Sequence, residues 1–286
     1  HYKDYILSLI LLCKKKEFDK NYKEEVSLLK LAKTESFLNN YHSLPSKSFS
    51  VEDSMPLVKY KNQLNIKRKI NEKKFKNYSV KPIFIIGLPR SGSTLVEKII
   101  QNPEKIFDCD ECAMVNRFVC DVDLSDNNSL YEIYCSNFSN LNKFKRFTDK
   151  TLHNFAFMDT IINIFPNAKF INCTRDIKEN IIGIFKQQFD NLPWSHTIEG
   201  ILQYTDEYLK LMDFFNKKYK NKIIDINHSD LVINKENETK KLFKFLGLKW
   251  SSNIFDFSSK KTFTNTSSKY QIKEKISKKF LNKYYH

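Results

Sequence analysis

The sequence of 286 residues predicts an α/β fold, in which a mostly parallel sheet is flanked by helices and preceded by a small helical region. From Pro82 onward, short apolar runs typical of buried strands alternate with longer segments in which apolar residues recur at helical spacing. Such alternation favours parallel strands joined by covering helices. Aromatic residues make up 14% of the chain and there are only 5 glycines, which excludes fibrous and low-complexity classes.

Residues 1–79 are predicted to form a helical hairpin followed by a linker. Two apolar patterns with helical spacing, Tyr5–Leu12 and Val26–Leu38, are separated by a lysine-rich segment. Prolines, serines and a basic run from Ile66 to Lys76 then indicate a linker that lies on the next domain. That second domain is predicted to span residues 80–286.

Within the second domain, strands and helices are expected to alternate. The strand candidates are Ile83–Ile86, Arg146–Asp149, Lys169–Thr174 and Lys222–Asn227. The helix candidates are Thr94–Gln101, Leu152–Ile164, Lys178–Phe189, Thr197–Lys220 and Glu238–Leu246, the last ended by Gly247. Ligands of open parallel sheets bind beyond the carboxyl ends of the strands, so polar residues that follow these strands are the functional candidates.

Residues 82–101, PIFIIGLPRSGSTLVEKIIQ, predict a phosphate-binding loop between a buried strand and a helix. The two glycines and Thr94 match the pattern GxxxxGK[ST], but Ser93 stands in the lysine position and the cation is Arg90. Backbone N–H groups and the dipole of the helix favour an anion at this point. Because the lysine that contacts the terminal phosphates of a triphosphate is replaced, this P-loop-like segment indicates a phosphate cradle rather than a site for triphosphate hydrolysis.

The same segment resembles the 5′-phosphosulfate-binding loop of sulfotransferases. It is most similar to the branch that contains tyrosylprotein sulfotransferases and bacterial sulfotransferases fused to tetratricopeptide repeats, and the resemblance extends over residues 80–273. It implies an enzyme that moves a sulfuryl group in line from PAPS (3′-phosphoadenosine 5′-phosphosulfate) to a hydroxyl of a protein tyrosine, a carbohydrate or a small molecule. PAPS would be a co-substrate, and no metal is implied.

The resemblance also implies roles for individual residues. Five consecutive loop residues would bind the 5′-phosphosulfate: Arg90, Ser91, Gly92, Ser93 and Thr94. Lys150, which ends the segment FTDK, would act with Arg90 on the charge that develops on the departing phosphate. Glu111 would be the catalytic base, and Asp110 is the alternative in a shifted alignment.

Arg175, in the segment KFINCTRD, would bind the 3′-phosphate of the donor. A guanidinium group suits this task because its forked N–H groups match phosphate oxygens. The family usually has a serine eight residues after this arginine, where this chain has Gly183. Asn180 or Lys186 is therefore expected to replace the missing hydroxyl contact.

Two later segments complete the resemblance. The segment HSDLV resembles the family pattern YEDLV with His228 in place of tyrosine, and this histidine is interpreted as a packing or acceptor-side residue. Residues 266–273 resemble a serine-containing loop that covers the donor. Ser268 and Lys273 are its expected donor contacts.

The net charge of +15 is compatible with a twice-phosphorylated nucleotide or an acidic acceptor such as a peptide or carbohydrate. Almost all of the basic residues are lysines, so a specific nucleic-acid partner is not expected. Two alternative functions remain open from the sequence. One is a nucleotide kinase with an atypical phosphate loop, and the other is an inactive sulfotransferase-like domain that binds a polyanion.

The cysteines predict neither a metal site nor disulfides. Cys109 and Cys112 have ligand spacing, but a second pair at comparable spacing is missing. Reduced thiols favour a cytoplasmic location. The chain begins at His1 and indicates a fragment, so an upstream targeting or membrane segment stays open, as does the oligomeric state; no membrane span is predicted within the chain.

Overall fold

The computed structural model of the chain describes residues 2–41, 51–62, 80–101, 106–121 and 130–255. In these segments, five strands form one sheet. They are β1 (Ile83–Gly87), β2 (Phe107–Asp108), β3 (Phe147–Asp149), β4 (Lys169–Thr174) and β5 (Ile223–Asn227). The strand order is β2-β3-β1-β4-β5, and every neighbouring pair is parallel. The predicted parallel sheet is thus confirmed.

Strand prediction missed only β2 among the strands of the described segments. This strand has two residues, Phe107 and Asp108, which pair with Phe147 and Thr148. The sequence has no apolar run of strand length at this point, so β2 could not be predicted. It is defined by its pairing with β3 rather than by a pattern of its own. The other predicted strands agree with the structure within one residue at each end.

The helices of the described segments surround this sheet. They are α1 (Tyr2–Phe18), α2 (Tyr22–Tyr41), α3 (Val51–Ser54), α4 (56–62), α5 (Ser93–Gln101), α6 (Met114–Asp121), α7 (Leu130–Asn137), α8 (Met158–Ile164), α9 (Ile177–Phe185), α10 (Ile198–Lys218), α11 (His228–Ile233) and α12 (Lys235–Leu246). Short 3₁₀ turns lie at Leu141–Lys143, Leu152–Phe157, Pro193–His196 and Ser252–Phe255. None of the described helices is both long and apolar enough to cross a lipid bilayer.

Several helix predictions need correction. The segment predicted as one helix from Leu152 to Ile164 begins as a 3₁₀ turn and becomes α-helical only at Met158. Helix α9 ends at Phe185, four residues before the predicted end. Helices α6, α7 and α11 were missed because they are short. Helix α11 nevertheless has a sequence signal, since the Asn227 side chain accepts hydrogen bonds from the first N–H groups of the helix.

The sheet separates two apolar layers because successive strand residues face opposite sides. Ile83 and Ile85 of β1 pack with α5 and α12 in one layer. Phe84 and Ile86 pack in the other layer, which contains the rings of Phe147, Phe155, Phe165 and Phe170 and the apolar side of α10. Burying each side chain of this size contributes about 1.5–3 kcal/mol. The stacked layers hold the carboxyl ends of the strands in fixed positions.

The N-terminal helices α1 and α2 form the predicted hairpin, which packs through Ile6, Leu9 and Ala32. The hairpin binds to the segment between α9 and α10. The Lys33 ammonium donates to the carbonyl oxygens of Gln187 (3.0 Å) and Ser195 (2.8 Å). Burial lowers the pKa of Lys33 to about 8. The boundary predicted between residues 79 and 80 stays a prediction, since residues 63–79 lie outside the described segments.

Part of the predicted linker is helical and lies on α10. The backbone N–H of Leu57 donates to the carboxylate of Glu207 (3.0 Å), and the Tyr60 ring lies 5.6 Å from the Phe215 ring. Residues 51–62 therefore pack on the domain that carries the sheet. The basic run from Ile66 to Lys76 is outside the described residues.

Candidate functional site

The loop between β1 and α5 takes a path that depends on its glycines. Gly87 has φ 140° and Gly92 has φ 93°, both in the region that side chains disfavour. A Cβ atom on Gly87 would lie 2.5 Å from the carbonyl oxygen of Cys173, and one on Gly92 would lie 2.6 Å from Cδ2 of His228. The glycines thus let the loop pass close to β4 and to the start of α11.

This loop has the features of an anion cradle. Helix α5 begins at Ser93, and the N–H of Leu95 already donates to the carbonyl oxygen of Gly92 (3.0 Å). The N–H groups of Ser93 and Thr94 are therefore those that the helix start leaves for a ligand. The Ser91 side chain is buried, and its Oγ has no hydrogen-bond partner among the described residues. Arg90 adopts φ 68° in the same loop. A backbone held in this form, with an orphaned hydroxyl beside a helix start, fits one phosphate or sulfate group.

Arg175 follows the neighbouring strand. Gly87 at the end of β1 is aligned with Cys173 of β4, so Arg90 and Arg175 follow adjacent strand ends. The Nε and Nη2 atoms of Arg175 lie 2.9 and 2.8 Å from one carboxylate oxygen of Glu179. The other oxygen of this buried carboxylate has no hydrogen-bond partner among the described residues. Glu179 thus orients Arg175 next to the loop.

His228 lies against the loop at Gly92. Burial, helped by the nearby Arg175 charge, lowers the pKa of His228 to about 4. The imidazole is therefore neutral near pH 7 and adds no charge to the site. Its contact with the loop is consistent with a packing residue, which is one of the two roles that the sequence suggested for His228.

Gly183 faces the side chain of Arg90. A Cβ atom on Gly183 would lie 3.4 Å from Cβ of Arg90, which is ordinary contact. Asn180 donates to the carbonyl oxygen of Pro89 (2.5 Å) and so reaches the loop. The ammonium of Lys186 pairs with two carboxylates of the hairpin, Glu17 (2.9 Å) and Glu25 (2.6 Å). Of the two residues expected to replace the missing serine contact, Asn180 is therefore the better placed.

Lys150 lies at the centre of a cluster of carboxylates, which we call the Lys150 cluster (Glu97, Asp110, Glu111 and Lys150). The Lys150 Nζ is 2.8 Å from Asp110 Oδ1, 3.0 Å from Glu111 Oε1 and 3.6 Å from Glu97 Oε2. Lys150 follows β3, Asp110 and Glu111 follow β2, and Glu97 belongs to α5. The Lys150 backbone N–H also donates to the Asp110 carbonyl oxygen (3.0 Å).

The members of the Lys150 cluster differ in exposure. The side chains of Lys150 and Glu97 are 0% exposed, whereas those of Asp110 and Glu111 are 37% and 54% exposed. Burial alone would lower the pKa of Lys150, but Glu97, Glu111 and Asp110 outweigh it and raise that pKa above its ordinary value. Burial raises the pKa of Glu97 to about 9 despite the opposing effect of Lys150. Lys150 is thus a firmly charged cation, and Glu97 is neutral near pH 7.

A cavity of about 380 Å³ borders Arg175 and Asn180 on the side of the sheet that α10 covers. Its polar wall is a chain of hydrogen bonds: Tyr208 donates to Asn172 (2.7 Å), and Asn172 donates to Asp225 (2.7 Å). These side chains therefore serve as hydrogen-bond partners for one another. The cavity is therefore preformed beside the arginine that follows β4.

Most sequence-predicted site residues fall within the described segments. The loop residues 90–94 and Arg175 come together around adjacent strand ends, and Lys150 and Glu111 meet on the other side of β1. Ser268 and Lys273 lie outside the described residues. Sequence reasoning missed Glu97 and Glu179. The burial of Glu97 could have been predicted from the sequence, since it lies three residues before Ile100 and therefore on the face that α5 buries.

The two cysteines with ligand spacing, Cys109 and Cys112, are free thiols. Burial and a hydrogen bond with Cys112 raise the pKa of Cys109. In the segments that the structure describes, no group of three or more histidine, cysteine, aspartate or glutamate side chains is arranged to hold a metal ion.

The parallel sheet, the glycine loop at the end of its central strand and the two arginines define an α/β protein with an anion site of the phosphate-loop type. A profile of the sulfotransferase family matches residues 116–252, which include Lys150 and Arg175. The sequence match thus supports a relationship to the sulfotransferase family over this part of the chain. Neither this match nor the similar structures assign it to the tyrosylprotein branch.

A solved structure of similar fold is the sulfotransferase domain from the Synechococcus PCC 7002 olefin synthase, at a TM-score of 0.51 and 15% identity over 74% of this chain and 90% of that one. A sulfotransferase from Mycobacterium tuberculosis H37Rv aligns at a TM-score of 0.47 and 13% identity over 94% of this chain and 97% of that one. An uncharacterized protein of Aquifex aeolicus (strain VF5) is 22% identical over 232 residues, 72% of this chain. The chain spans 30% of the length of that relative.

Proposed function

We propose that this protein is a PAPS-dependent sulfotransferase that acts on a hydroxyl acceptor. The observation that carries the proposal is the placement of Arg90 and Arg175 after the aligned ends of β1 and β4. Two cations at separate positions suit a donor that has phosphate groups at two separate positions. PAPS would supply the sulfuryl group and be left as the 3′,5′-bisphosphate.

The residues of the loop would hold the 5′ end of the donor. The oxygens of a phosphosulfate accept hydrogen bonds. The loop can supply donors from the backbone N–H groups at the start of α5, the orphaned Ser91 hydroxyl and the Arg90 guanidinium. Gly92 belongs to this cradle, and Ser93 and Thr94 add hydroxyls in the first turn of α5. Arg175, oriented by Glu179, would bind the 3′-phosphate. Ser268 and Lys273 are proposed as further donor contacts on sequence grounds.

Lys150 would stabilise negative charge as the sulfuryl group leaves, together with Arg90. Its raised pKa keeps the ammonium charged at neutral pH. Fixed charges in a site without water contribute most of the rate in transfers of this kind. Burial of Lys150 satisfies that condition.

Glu111 suits the role of catalytic base better than Asp110 does. Asp110 contacts Lys150 twice, through its carboxylate (2.8 Å) and through its carbonyl oxygen (3.0 Å). Glu111 has a single contact with Lys150 (3.0 Å) and a more exposed side chain. A base must reach the acceptor hydroxyl, so the more exposed and less constrained carboxylate is the better candidate.

The acceptor is proposed to be a hydroxyl on a protein tyrosine, a carbohydrate or a small molecule. The net charge of +15 would attract an acidic peptide or a sulfated or carboxylated sugar. The loop sequence favours the tyrosine branch of the family, through resemblance alone. A panel of acceptors tested with labelled PAPS would identify the class.

Ligand-induced thermal stabilisation tests the donor. Adenosine 3′,5′-bisphosphate (PAP) should raise the melting temperature well above the shift produced by equal concentrations of AMP or ATP, because only PAP occupies both arginine positions. A larger shift with ATP would favour the kinase, and equal shifts for all three would refute the assignment. PAP binding without transfer to any acceptor, together with salt-sensitive binding of polyanions, would instead support the inactive binding domain.

A further inference from the structure

Glu97 occupies a position where an ionised carboxylate is unfavourable. It lies four residues after Ser93, the first residue of α5, and helical side chains lean toward the N-terminus of their helix. Its carboxyl group is thus within about 6 Å along the axis of the phosphate cradle at the start of α5. A negative charge there would oppose an anion bound to the loop.

The hydrogen bonding of Glu97 also sets it apart from its neighbours. Neither of its oxygens has a hydrogen-bond partner among the described residues, and its nearest cation, Lys150 Nζ, is 3.6 Å away. Asp110 and Glu111 contact the same ammonium at 2.8 and 3.0 Å. Two carboxylates already outnumber the single ammonium of Lys150, so an ionised Glu97 would add a buried negative charge that no further cation of the cluster compensates.

The charged groups that act on Glu97 come from every element around it. Lys150 favours ionisation, whereas burial and the carboxylates of Asp108, Asp110 and Glu111 oppose it, and their sum raises the pKa of Glu97 to about 9. Cys173 on β4 and Lys98 on α5 also interact with the Glu97 charge. The buried Cys173 thiol is itself kept neutral, because burial raises its pKa.

We propose that Glu97 is a positioning residue that works in its neutral form, packing beside Lys150 at the base of the phosphate loop without adding negative charge to the donor site. This inference rests on the proposed function, since it concerns the donor site of that reaction. A protonated carboxyl also provides an O–H donor. An ionised carboxylate at the same place would weaken binding of the donor.

The test compares PAP affinity of the wild type and of Glu97→Gln by calorimetry at pH 7.5 and at pH 9.5. Glutamine has the shape of the neutral acid and cannot ionise. Wild-type affinity should fall by about tenfold more than that of the variant over this range, because one unit charge then forms beside the bound anion. At pH 7.5 the two proteins should bind PAP within about threefold of each other. Glu199→Gln, on the exposed first turn of α10, is the matched control and should follow the wild type.

Two outcomes would overturn the inference. One is a fall in PAP affinity with pH that is the same in Glu97→Gln and in the wild type. The other is a Glu97→Gln variant that melts like the wild type yet loses more than about tenfold in PAP affinity at pH 7.5, since the ionised form would then be the working one.

A second measurement does not involve the donor. The folded-state pKa of Glu97 lies above its unfolded value, so its contribution to stability is complete below about pH 4.3 and is lost as the pH rises toward about 9. The unfolding free energy of Glu97→Gln minus that of the wild type should therefore increase between pH 5 and pH 9. A constant difference would contradict a neutral Glu97. Absence of PAP binding by the wild type at every pH would refute the proposed function, and this stability comparison would still decide the state of Glu97.

Discussion

Arg175 and Lys150 are cations that follow strands on either side of β1, yet their surroundings differ. Arg175 is 13% exposed and pairs with the carboxylate of Glu179 beside an open cavity. Lys150 is 0% exposed and lies among three carboxylates. Both residues were chosen from the sequence as contacts of the same donor. The structure places them in opposite electrostatic environments.

The difference indicates two kinds of work for a cation. A guanidinium has five N–H donors in a planar fork that matches the oxygens of carboxylates and phosphates, which suits binding of an anion. An ammonium balanced by carboxylates and removed from water is a structural charge as well as a candidate catalyst, because removing it strands its partners. Two substitutions measure this contrast and a third tests the packing beside Arg90, and they are taken from the largest expected effect to the smallest.

Lys150→Met should lower the free energy of unfolding by about 1.5–3 kcal/mol, because it removes the buried ammonium that donates to the partly exposed carboxylates of Asp110 and Glu111. Sulfuryl transfer should fall by at least about 100-fold in whatever fraction remains folded. Chemical denaturation and a transfer assay provide the two readouts. Lys210→Met is the matched control, since Lys210 is an exposed lysine paired with Asp206, and its loss should cost under about 0.5 kcal/mol. Equal stabilities of the two variants would remove the distinction drawn for Lys150.

Arg175→Lys should weaken PAP binding by about tenfold while changing the free energy of unfolding by less than about 1 kcal/mol. Lysine retains a charge for Glu179 but lacks the fork that can bind a carboxylate and a phosphate together. Calorimetric titration with PAP measures the effect. Arg117→Lys, at an exposed position of α6, is the control. If Arg175→Lys binds PAP as the wild type does, Arg175 does not bind the 3′-phosphate.

Gly183→Ala should stabilise the protein by about 0.5–1 kcal/mol, since glycine within a helix is unfavourable and the added Cβ would make only ordinary contact with Arg90. Thermal unfolding measures this small gain. Gly247→Ala provides the opposite case, because Gly247 ends α12 with φ 67° and alanine there should destabilise. A loss of stability in Gly183→Ala would mean that the contact with Arg90 is tighter than its distance indicates.

Much of the fold could be predicted because its strands and long helices have strong apolar patterns. The run Ile83–Ile86 is continuously apolar, and Lys169–Thr174 contains the strand-forming residues Phe, Ile and Thr, so their strands were found within one residue. Short elements such as β2 and α7 have no such pattern and depend on their neighbours. The end of α9 and the α-helical start of the segment after Lys150 were predicted wrongly. The local pattern of apolar residues does not show where tertiary contacts begin or stop an α-helix.

The candidate site likewise has a part that could be predicted from the sequence and a part that could not. The phosphate loop could be read from the sequence, since its glycines and hydroxyls act through the local backbone path from β1 to α5. The partners of the cations could not, because Glu97, Asp110 and Lys150 come from separate elements that meet only in the folded chain. Lys186 makes the same point, since its spacing suited the loop while its contacts lie on the hairpin.

The sequence by itself determined the parallel α/β class, the anion loop and the order of the residues that resemble a sulfotransferase site. These depend on local periodicity and on short segments whose backbone geometry is set by nearby residues. Only the tertiary structure decided that Lys150 is buried, that Glu179 orients Arg175 and that burial raises the pKa of Glu97. Charge balance and burial are properties of side chains brought together from distant parts of the chain, and pKa values follow from that assembly.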